Sequence, residues 1–260
     1  MLQEGCTAGV ALPAVLVLLP PSETKSDGGR GAPLDLGELS FPKLTATREM
    51  LVDTLVALAA DVEASSVALG LSAGQFEEVA RNAELWTSPT RPALERYTGV
   101  LFDAFDAKSL TRVQKSKAYA RIAIGSALFG VVRSGDPIPA YRLSGGSKLP
   151  GLGTLQSLWK PEITPALEAE DAGLTVDLRS GTYQQLGPVP GAVTASVLTE
   201  KPDGSRSVVS HFNKHHKGLL ARALVVSRAE PSDVRGVARV ASKAGLRVEI
   251  ASATELVILT

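Results

Sequence analysis

VLVLLPPSETKSDGG, residues 14–28, places a run of Val and Leu directly before two prolines and a group of polar side chains. Such an apolar run predicts a buried strand. Proline lacks an amide proton and fixes φ, so the proline pair ends this strand and stiffens the chain after it. We therefore expect a rigid scaffold to present the side chains that follow, which are Ser22, Glu23, Thr24 and Lys25. The alternative is a Pro-fixed turn before a solvated Gly-rich loop.

The composition is that of a globular protein with an uneven charge distribution. The 260 residues are 44% hydrophobic and 21% charged, with a formal net charge of +0, and a chain of this length can bury the core of one large domain. Residues 1–110 contain 8 Lys and Arg against 15 Asp and Glu, whereas residues 201–260 contain 10 against 5. The C-terminal half therefore predicts a basic surface that could meet phosphates.

The N-terminal residues and the single cysteine limit the classes of protein to which this chain can belong. One cysteine, Cys6, excludes a disulfide framework and a Cys-based zinc site and fits a reducing cytoplasm. Residues 1–13 contain Glu4 and lack the basic start of a secretory signal, and no apolar run approaches the ~20 residues of a membrane span. We interpret residues 1–13 as a disordered or mis-called N-terminal extension, and residues 14–260 as a single cytoplasmic domain without a membrane partner.

The pattern of apolar residues predicts a mixed fold. Strand-like segments are 14–19, 120–124, 174–178, 191–199, 206–212, 246–251 and 255–259. Helix-like segments are 46–62, 73–86, 154–170, 214–228 and 232–244. Asp203-Gly204 predicts a β-hairpin turn with positive φ between two of the strands. Because strands and helices do not alternate strictly, we expect an α+β fold, with an irregular mixed sheet flanked by helices, over a doubly wound parallel sheet.

A second polar cluster lies in GDPIPAYRLS, residues 135–144. Its prolines hold an extended chain that aims Tyr141 and Arg142, and the planar Arg fork suits carboxylate or phosphate. We interpret the Gly- and Pro-rich stretch 135–153 as a long ordered loop within the domain. KLPGLGTLQSLW, residues 148–159, is similar to the Gly-x-Gly hairpin of helix-hairpin-helix modules, although a turn before a helix is favoured.

A third cluster, SHFNKHHKGLLARALVVSR, occupies residues 210–228 and contains every histidine of the chain. Its polar members are His211, Lys214, His215, His216, Lys217 and Arg222. No H-E-x-x-H pattern and no cysteine partner accompany the histidines, so we predict no metal site. An anion-binding helix N-terminus is favoured, and a solvated basic face is the remaining alternative.

These motifs, in this order, resemble the YaaA family of bacterial peroxide stress resistance proteins. The resemblance covers residues 14–228 and rests on PPSETK (20–25), RYTG (96–99), GSALFGVVRSGDPIPAYRL (125–143), LW (158–159), DLRSGTYQ (177–184) and HFNKHHKGLLAR (211–222). The chain resembles a divergent member. Phe129 stands where the family usually has Tyr, Ser144 stands where an acidic residue is common, and Gly181-Thr182 stands where many relatives carry a carboxylate.

The resemblance implies a cytosolic single-domain mixed α/β protein of unusual fold. The family is associated with lowering free iron during hydrogen peroxide stress, and with DNA binding through a positively charged cleft and a helix-hairpin-helix element. It implies no established reaction, so we assign no catalytic residue and no cofactor. The candidate ligand- or phosphate-binding residues are Ser22, Glu23, Thr24, Lys25, Arg96, Tyr97, Thr98, Tyr141, Arg142, Ser180, Tyr183, His211, Lys214, Lys217 and Arg222.

Three functions remain open at this point. The first is a stress protein that binds DNA through its basic half and helps limit free iron. The second is an enzyme or binder that acts on a phosphorylated or nucleotide-like small molecule, in a pocket that the proline-pinned motifs surround. The third is direct coordination of iron by histidines and carboxylates. The sequence favours a monomer.

Overall fold

A computed structural model of the chain describes residues 15–208 and 210–260, with the side chains of residues 73, 208 and 210–212 outside that description. The expectation for residues 1–13 lies outside the described residues. The strands of the described chain are β1 (Val15–Leu19), β2 (Arg91–Pro92), β3 (Ile122–Ser126), β4 (Gly130–Arg133), β5 (Pro137–Ile138), β6 (Leu174–Asp177), β7 (Val193–Glu200), β8 (Arg206–Val208), β9 (Arg247–Ser252) and β10 (Glu255–Leu259).

Helices surround these strands. The α-helices in the described chain are α1 (Thr45–Leu58), α2 (Val62–Leu69), α3 (Glu77–Ala83), α4 (Ala93–Arg96), α5 (Val100–Phe105), α6 (Arg112–Arg121), α7 (Leu155–Glu168), α8 (Gly181–Gln185), α9 (Ser210–Val226) and α10 (Val234–Lys243). Within that part of the chain, none of these helices has both the length and the hydropathy needed to cross a bilayer.

The large sheet is mixed, as the sequence predicts. Its strand order is β4-β3-β1-β6-β7-β10-β9, with β8 paired to the end of β7. The inner strands β3, β1, β6, β7 and β10 run parallel, whereas β4, β8 and β9 pair antiparallel at the margins. Strands β2 and β5 form a separate antiparallel pair. The fold class is therefore confirmed as a mixed α/β arrangement, with a parallel centre that the α+β prediction did not specify.

Strand β1 fixes where the candidate site lies. Every side chain of Val15–Leu19 is fully buried, which is why the strand reads as one apolar run and does not alternate. β1 lies between β3 and β6, and all three strands end at the same edge of the sheet. The crevice beside the carboxyl ends of such neighbouring strands is the usual ligand site of open α/β sheets. The proline pair after β1 therefore delivers its polar residues to this edge.

Several predicted segments differ at their ends. The strand predicted over 206–212 is wrong beyond Val208, because β8 pairs with only three residues of β7 and α9 begins at Ser210. The helix predicted over 46–62 ends earlier, because α1 ends at Leu58 and Asp61 caps the next helix, α2, by accepting a hydrogen bond from the Ala64 amide. The β7–β8 hairpin is confirmed, with Gly204 at φ +79°.

A close helix crossing holds α9 in place. At Gly218, in the middle of α9, an added Cβ would lie 2.3 Å from the Leu101 carbonyl oxygen and 2.9 Å from the Ala104 Cβ. The absence of a side chain thus lets α9 rest directly on α5. Because Lys214 and Lys217 lie on the same helix, this contact also sets the position of two candidate site residues.

Gly218→Ala tests that crossing. Helix propensity alone predicts that Ala stabilises a helix interior by about 1 kcal/mol relative to Gly. Here the added Cβ is crowded against the Leu101 backbone, so the substitution should destabilise the protein. We expect a net loss of about 1–3 kcal/mol in the free energy of unfolding, measured by urea titration. Gly74→Ala, where no atom lies within 4 Å of the added Cβ, serves as the control and should not destabilise. A stabilised Gly218→Ala would contradict the crossing.

Candidate functional site

A cavity of about 820 Å³ opens at the carboxyl edge of the sheet. Five of the sequence-predicted site residues line it, from three separate motifs: Glu23, Ser180, Tyr183, Lys214 and Lys217. Further lining comes from Pro20 and Pro21 after β1, from 144–146 in the loop before α7, and from 194–196 at the start of β7. The strand ends and loops of distant segments therefore converge on one concave surface.

The segment after β1 is fixed against the residues before α5. Lys25 and Tyr97 form an isolated antiparallel bridge, and the Ser26 amide donates to the Arg96 carbonyl at 2.8 Å. Thr98 Oγ1 donates to Thr24 Oγ1 at 3.0 Å, and Thr24 Oγ1 lies 3.2 Å from Ser22 Oγ. Ser22, Thr24 and Thr98 thus form a small hydroxyl cluster beside the cavity. These hydrogen bonds tie the segment after β1 to residues 96–98.

Lys25 turns inward and does not line the cavity. The residue is 8% exposed, and its Nζ lies 4.1 Å from the centre of the Tyr141 ring and 5.5 Å from that of Tyr97. Nζ donates to the carbonyl oxygens of Ser22 at 3.1 Å and Glu23 at 3.4 Å. Burial lowers the pKa of Lys25 to about 7, an effect that the Glu23 carboxylate opposes and the Arg142 guanidinium increases.

A chain of buried hydroxyls continues from the Lys25 side. Tyr97 and Tyr141 share a hydrogen bond of 2.8 Å between their hydroxyl oxygens, and Tyr141 shares another of 2.8 Å with Ser126 Oγ. Ser126 Oγ also accepts from the Phe129 amide at 2.9 Å. Burial raises the pKa of Tyr97 to about 12 and that of Tyr141 well above its ordinary value. Both phenols therefore stay neutral near pH 7 and can donate protons to hydrogen bonds.

Arg142 is held by a residue that the sequence motifs do not indicate. Asn82 Nδ2 donates to the Arg142 carbonyl, and the Arg142 amide donates to Asn82 Oδ1, both at 2.8 Å. The guanidinium Nη1 lies 3.0 Å from Glu23 Oε2, while its buried Nε has no hydrogen-bond partner. Asn82 is distant in sequence and carries no local signature, so sequence patterns give no means of finding it. Arg142 contacts Glu23 in the cavity wall and does not line the cavity itself.

The opposite wall is built by α8, α9 and the loop before α8. Asp177 accepts two hydrogen bonds from the Arg179 side chain, from Nε at 2.9 Å and from Nη2 at 2.8 Å. Lys217 Nζ reaches the Arg179 carbonyl at 3.5 Å, and burial lowers the pKa of Lys217 while Asp177 opposes that effect. Burial also raises the pKa of Tyr183, whose hydroxyl oxygen accepts from the Gly145 amide at 3.1 Å.

Two predicted site residues have structural contacts elsewhere. Arg96 donates to the carbonyls of Ser26, Pro89 and Ile138, which ties the β1 loop to the strand pair β2–β5. Arg222 donates to the carbonyls of Phe105 and Asp106 at 2.7 and 2.8 Å, at the end of α5. Neither residue lines the cavity. The side chain of His211 lies outside the described residues.

The stretch 148–159 forms a turn followed by a helix, as favoured from the sequence. Thr154 caps α7 by accepting a hydrogen bond from the Ser157 amide, and Gly151 has φ +72°. Residues 135–153 are all described and include no helix. This stretch therefore does not form the first helix of a helix-hairpin-helix element. The loop predicted over 135–153 contains the short strand β5 (Pro137–Ile138), which pairs with β2.

The buried amine predicts a pH-dependent stability. An unfolded Lys has a pKa of 10.5, whereas folded Lys25 has one of about 7, so between these values the unfolded state binds more protons. The stability that Lys25 contributes is thus fully present above about pH 10.5 and is lost as the pH falls toward 7. Urea titrations at pH 7, 8, 9 and 10 should show wild type losing stability relative to Lys25→Met as the pH decreases.

The matched control is Lys115→Met. Lys115 is paired at the surface with Glu95, which raises the pKa of Lys115. Its contribution to the free energy of unfolding therefore changes at a higher pH than the pH 7 to 10 range of these titrations. A difference between wild type and Lys25→Met that is constant from pH 7 to 10 would contradict the lowered pKa.

Comparisons with known proteins identify the family of this chain. The family model described as "Peroxide stress protein YaaA" matches residues 15–249. A UPF0246 protein of Corynebacterium efficiens is 55% identical over 240 residues, covering 91% of this chain and 95% of that protein. A UPF0246 protein of Corynebacterium glutamicum is 52% identical (90% and 95% covered), and one of Streptomyces coelicolor is 45% identical (90% and 92% covered). The chain therefore belongs to the peroxide stress protein YaaA family, also named UPF0246.

Proposed function

We propose that this protein acts in the response to peroxide stress by binding a phosphate-bearing, nucleotide-like small molecule in the cavity at the carboxyl edge of the sheet. The observation that carries this proposal is convergence: Glu23, Ser180, Tyr183, Lys214 and Lys217 come from three motifs far apart in sequence and line one cavity of about 820 Å³. A volume of several hundred Å³ with few polar groups at fixed positions is typical of small-ligand sites. A surface for nonspecific contact has no need of such rigidity.

The charges around the cavity suit one or two phosphate groups. Among the described side chains, Lys214 and Lys217 form no ion pair with a carboxylate at 4.0 Å or less. Arg179 is neutralised by Asp177, and Arg142 by Glu23. Lys214 and Lys217, which have no anionic partner among the described side chains, line the cavity together with residues 180–182, and their ammonium groups can bind phosphate oxygens. We expect this binding to occur in the cytoplasm, with the protein as a monomer, and to help limit free iron.

Lys217→Ala tests the ligand class. Loss of a charged hydrogen bond to phosphate costs about 1.5–3 kcal/mol of binding, so the Kd for ATP, measured by isothermal titration calorimetry, should rise about tenfold or more. Lys43→Ala removes an exposed lysine that does not line the cavity and should leave the Kd unchanged. Equal Kd values for Lys217→Ala and wild type, or no heat from ATP, pyrophosphate or AMP at millimolar concentration, would refute the proposal.

DNA is the second candidate ligand, and one observation favours it. Arg235, Arg239 and Lys243 follow one another at four-residue intervals along the exposed side of α10. Within the described part of the chain they form no ion pair. Like charges at this helical spacing repel one another, and a polyanion would remove that repulsion. A duplex lying along α10 would contact more phosphates than the two cavity lysines can.

The salt dependence of duplex binding shows whether DNA binds along the exposed side of α10 or not. Each neutralised phosphate contributes about −0.9 to the slope of log K against log salt concentration. If duplex DNA binds along α10, Arg239→Ala should weaken it and reduce the magnitude of the slope by about one, in fluorescence anisotropy at several salt concentrations. Lys43→Ala again serves as the control. Absence of duplex binding at low salt would eliminate DNA and leave the small molecule.

A further inference from the structure

Strand β9 forms an open edge of the large sheet. It is last in the strand order and, within the described chain, it pairs with β10 alone. Every residue of β9 except Val248 is exposed, whereas β4, at the other margin of the sheet, is buried except at Arg133. The outer N–H and C=O groups of an unpaired strand edge are a template for pairing with another extended chain. The sheet can therefore accept one more strand beside β9.

A groove of about 560 Å³ lies between this strand and α10. The strand contributes Val248 and Ile250 to the groove, and the helix contributes Ala238 between basic residues. Because side chains alternate along a strand, Val248 and Ile250 lie on the same face of β9. Ile250 is 46% exposed, which is unusual for a large apolar side chain next to an open strand edge. The groove thus has an apolar floor that a bound chain could cover.

The helix side of the groove is basic. Arg235, Arg239 and Lys243 all line it and are exposed, and within the described part of the chain none of them has a carboxylate within 4.0 Å. On the other face of β9, by contrast, Arg247 and Glu249 each form an ion pair with an oppositely charged residue. The positive charge without a partner is therefore confined to the face of the strand that the groove occupies, and it is complementary to carboxylates.

We propose that β9 and α10 form a docking site for an acidic segment of another protein, which binds in an extended conformation as an additional strand of the sheet. The main chain of this segment pairs with the outer edge of β9, as in other cases of strand addition. Its side chains on the groove face place carboxylates at Arg239 and Lys243, and their aliphatic parts cover Val248 and Ile250. The open edge, the apolar floor and the basic wall are then all used by one partner.

Two other occupants fit fewer of these features. Duplex DNA would contact the basic wall through its phosphates, but it offers no main-chain partner to a strand edge, and its phosphates would leave Val248 and Ile250 uncovered. Antiparallel pairing with β9 of a second copy would bring α10 of both copies to the same face of the joined sheet. Two basic walls would then repel each other. The observations therefore favour an acidic peptide.

A fluorescein-labelled peptide in which Glu alternates with Thr is a suitable probe, because this pattern places all carboxylates on one face of a strand. Its binding to the full chain is measured by fluorescence anisotropy at low salt. We expect saturable binding, with a Kd that rises about tenfold or more in Arg239→Glu. Lys43→Glu makes the same charge change at an exposed lysine outside the groove and should leave the Kd unchanged. Equal Kd values for Arg239→Glu and wild type would overturn the proposal.

A second peptide separates strand addition from attraction of charge alone. In this peptide two adjacent central residues are replaced by proline, so that in either register one of the lost N–H groups faces β9. Its binding should be weaker than that of the first peptide by about tenfold or more. Hydrogen–deuterium exchange of the wild-type chain should show slower exchange at Arg247–Ser252 when the first peptide is bound. Equal binding of the two peptides, or unchanged exchange in β9, would contradict pairing with the strand edge.

The inference stands or falls independently of the phosphate cavity, because the residues that line the groove and those that line the cavity do not overlap. Binding of duplex DNA that Arg239→Glu weakens, without binding of the Glu–Thr peptide, would assign this surface to nucleic acid and overturn the inference. Absence of binding of both would overturn it as well. In either case phosphate binding in the cavity would be unaffected.

Discussion

The burial of the Lys25 amine beside the Glu23–Arg142 ion pair is the constraint on which the candidate site depends. The Lys25–Tyr97 bridge holds the chain after β1 against residues 96–98, the amine lies against the rings of the tyrosine pair, and Glu23 is at the cavity wall. Burial lowers the pKa of Lys25 to about 7, so the arrangement opposes stability at neutral pH. A fold retains such a group where it is useful, as buried groups with perturbed pKa values cluster at functional sites.

The sheet topology explains why distant motifs meet there. β1 lies between β3 and β6, so the loops that follow these parallel strands leave from one edge. α9 brings a basic wall to the same edge, because Gly218 lets it rest on α5. The loop with Arg142 reaches the site from the other side and is anchored by Asn82. Each wall of the cavity is thus set by a contact between segments far apart in sequence.

Much of this arrangement could be predicted from the sequence. The parts that could not be predicted have physical reasons. The apolar run of β1 and the prolines after it predict the strand, its end and the rigid polar segment. The inward turn of Lys25 could not be predicted, because it depends on pairing with Tyr97 rather than on local pattern. The strand predicted through residue 212 ends at Val208, since β8 pairs with only three residues of β7 and α9 begins at Ser210. Asn82 contacts Arg142 only in the folded state and leaves no sequence signal.

The place where phosphate binds can be measured directly by amide chemical-shift mapping of the isotope-labelled full chain with pyrophosphate. If the cavity is the ligand site, the shifts should concentrate on its wall, at Gly145, Gly146, Thr182 and the turn of α9 with Lys214 and Lys217. Those shifts should saturate together with a single Kd. Shifts confined to α10, or small shifts spread over the whole surface without saturation, would contradict the assignment of this cavity as the ligand site.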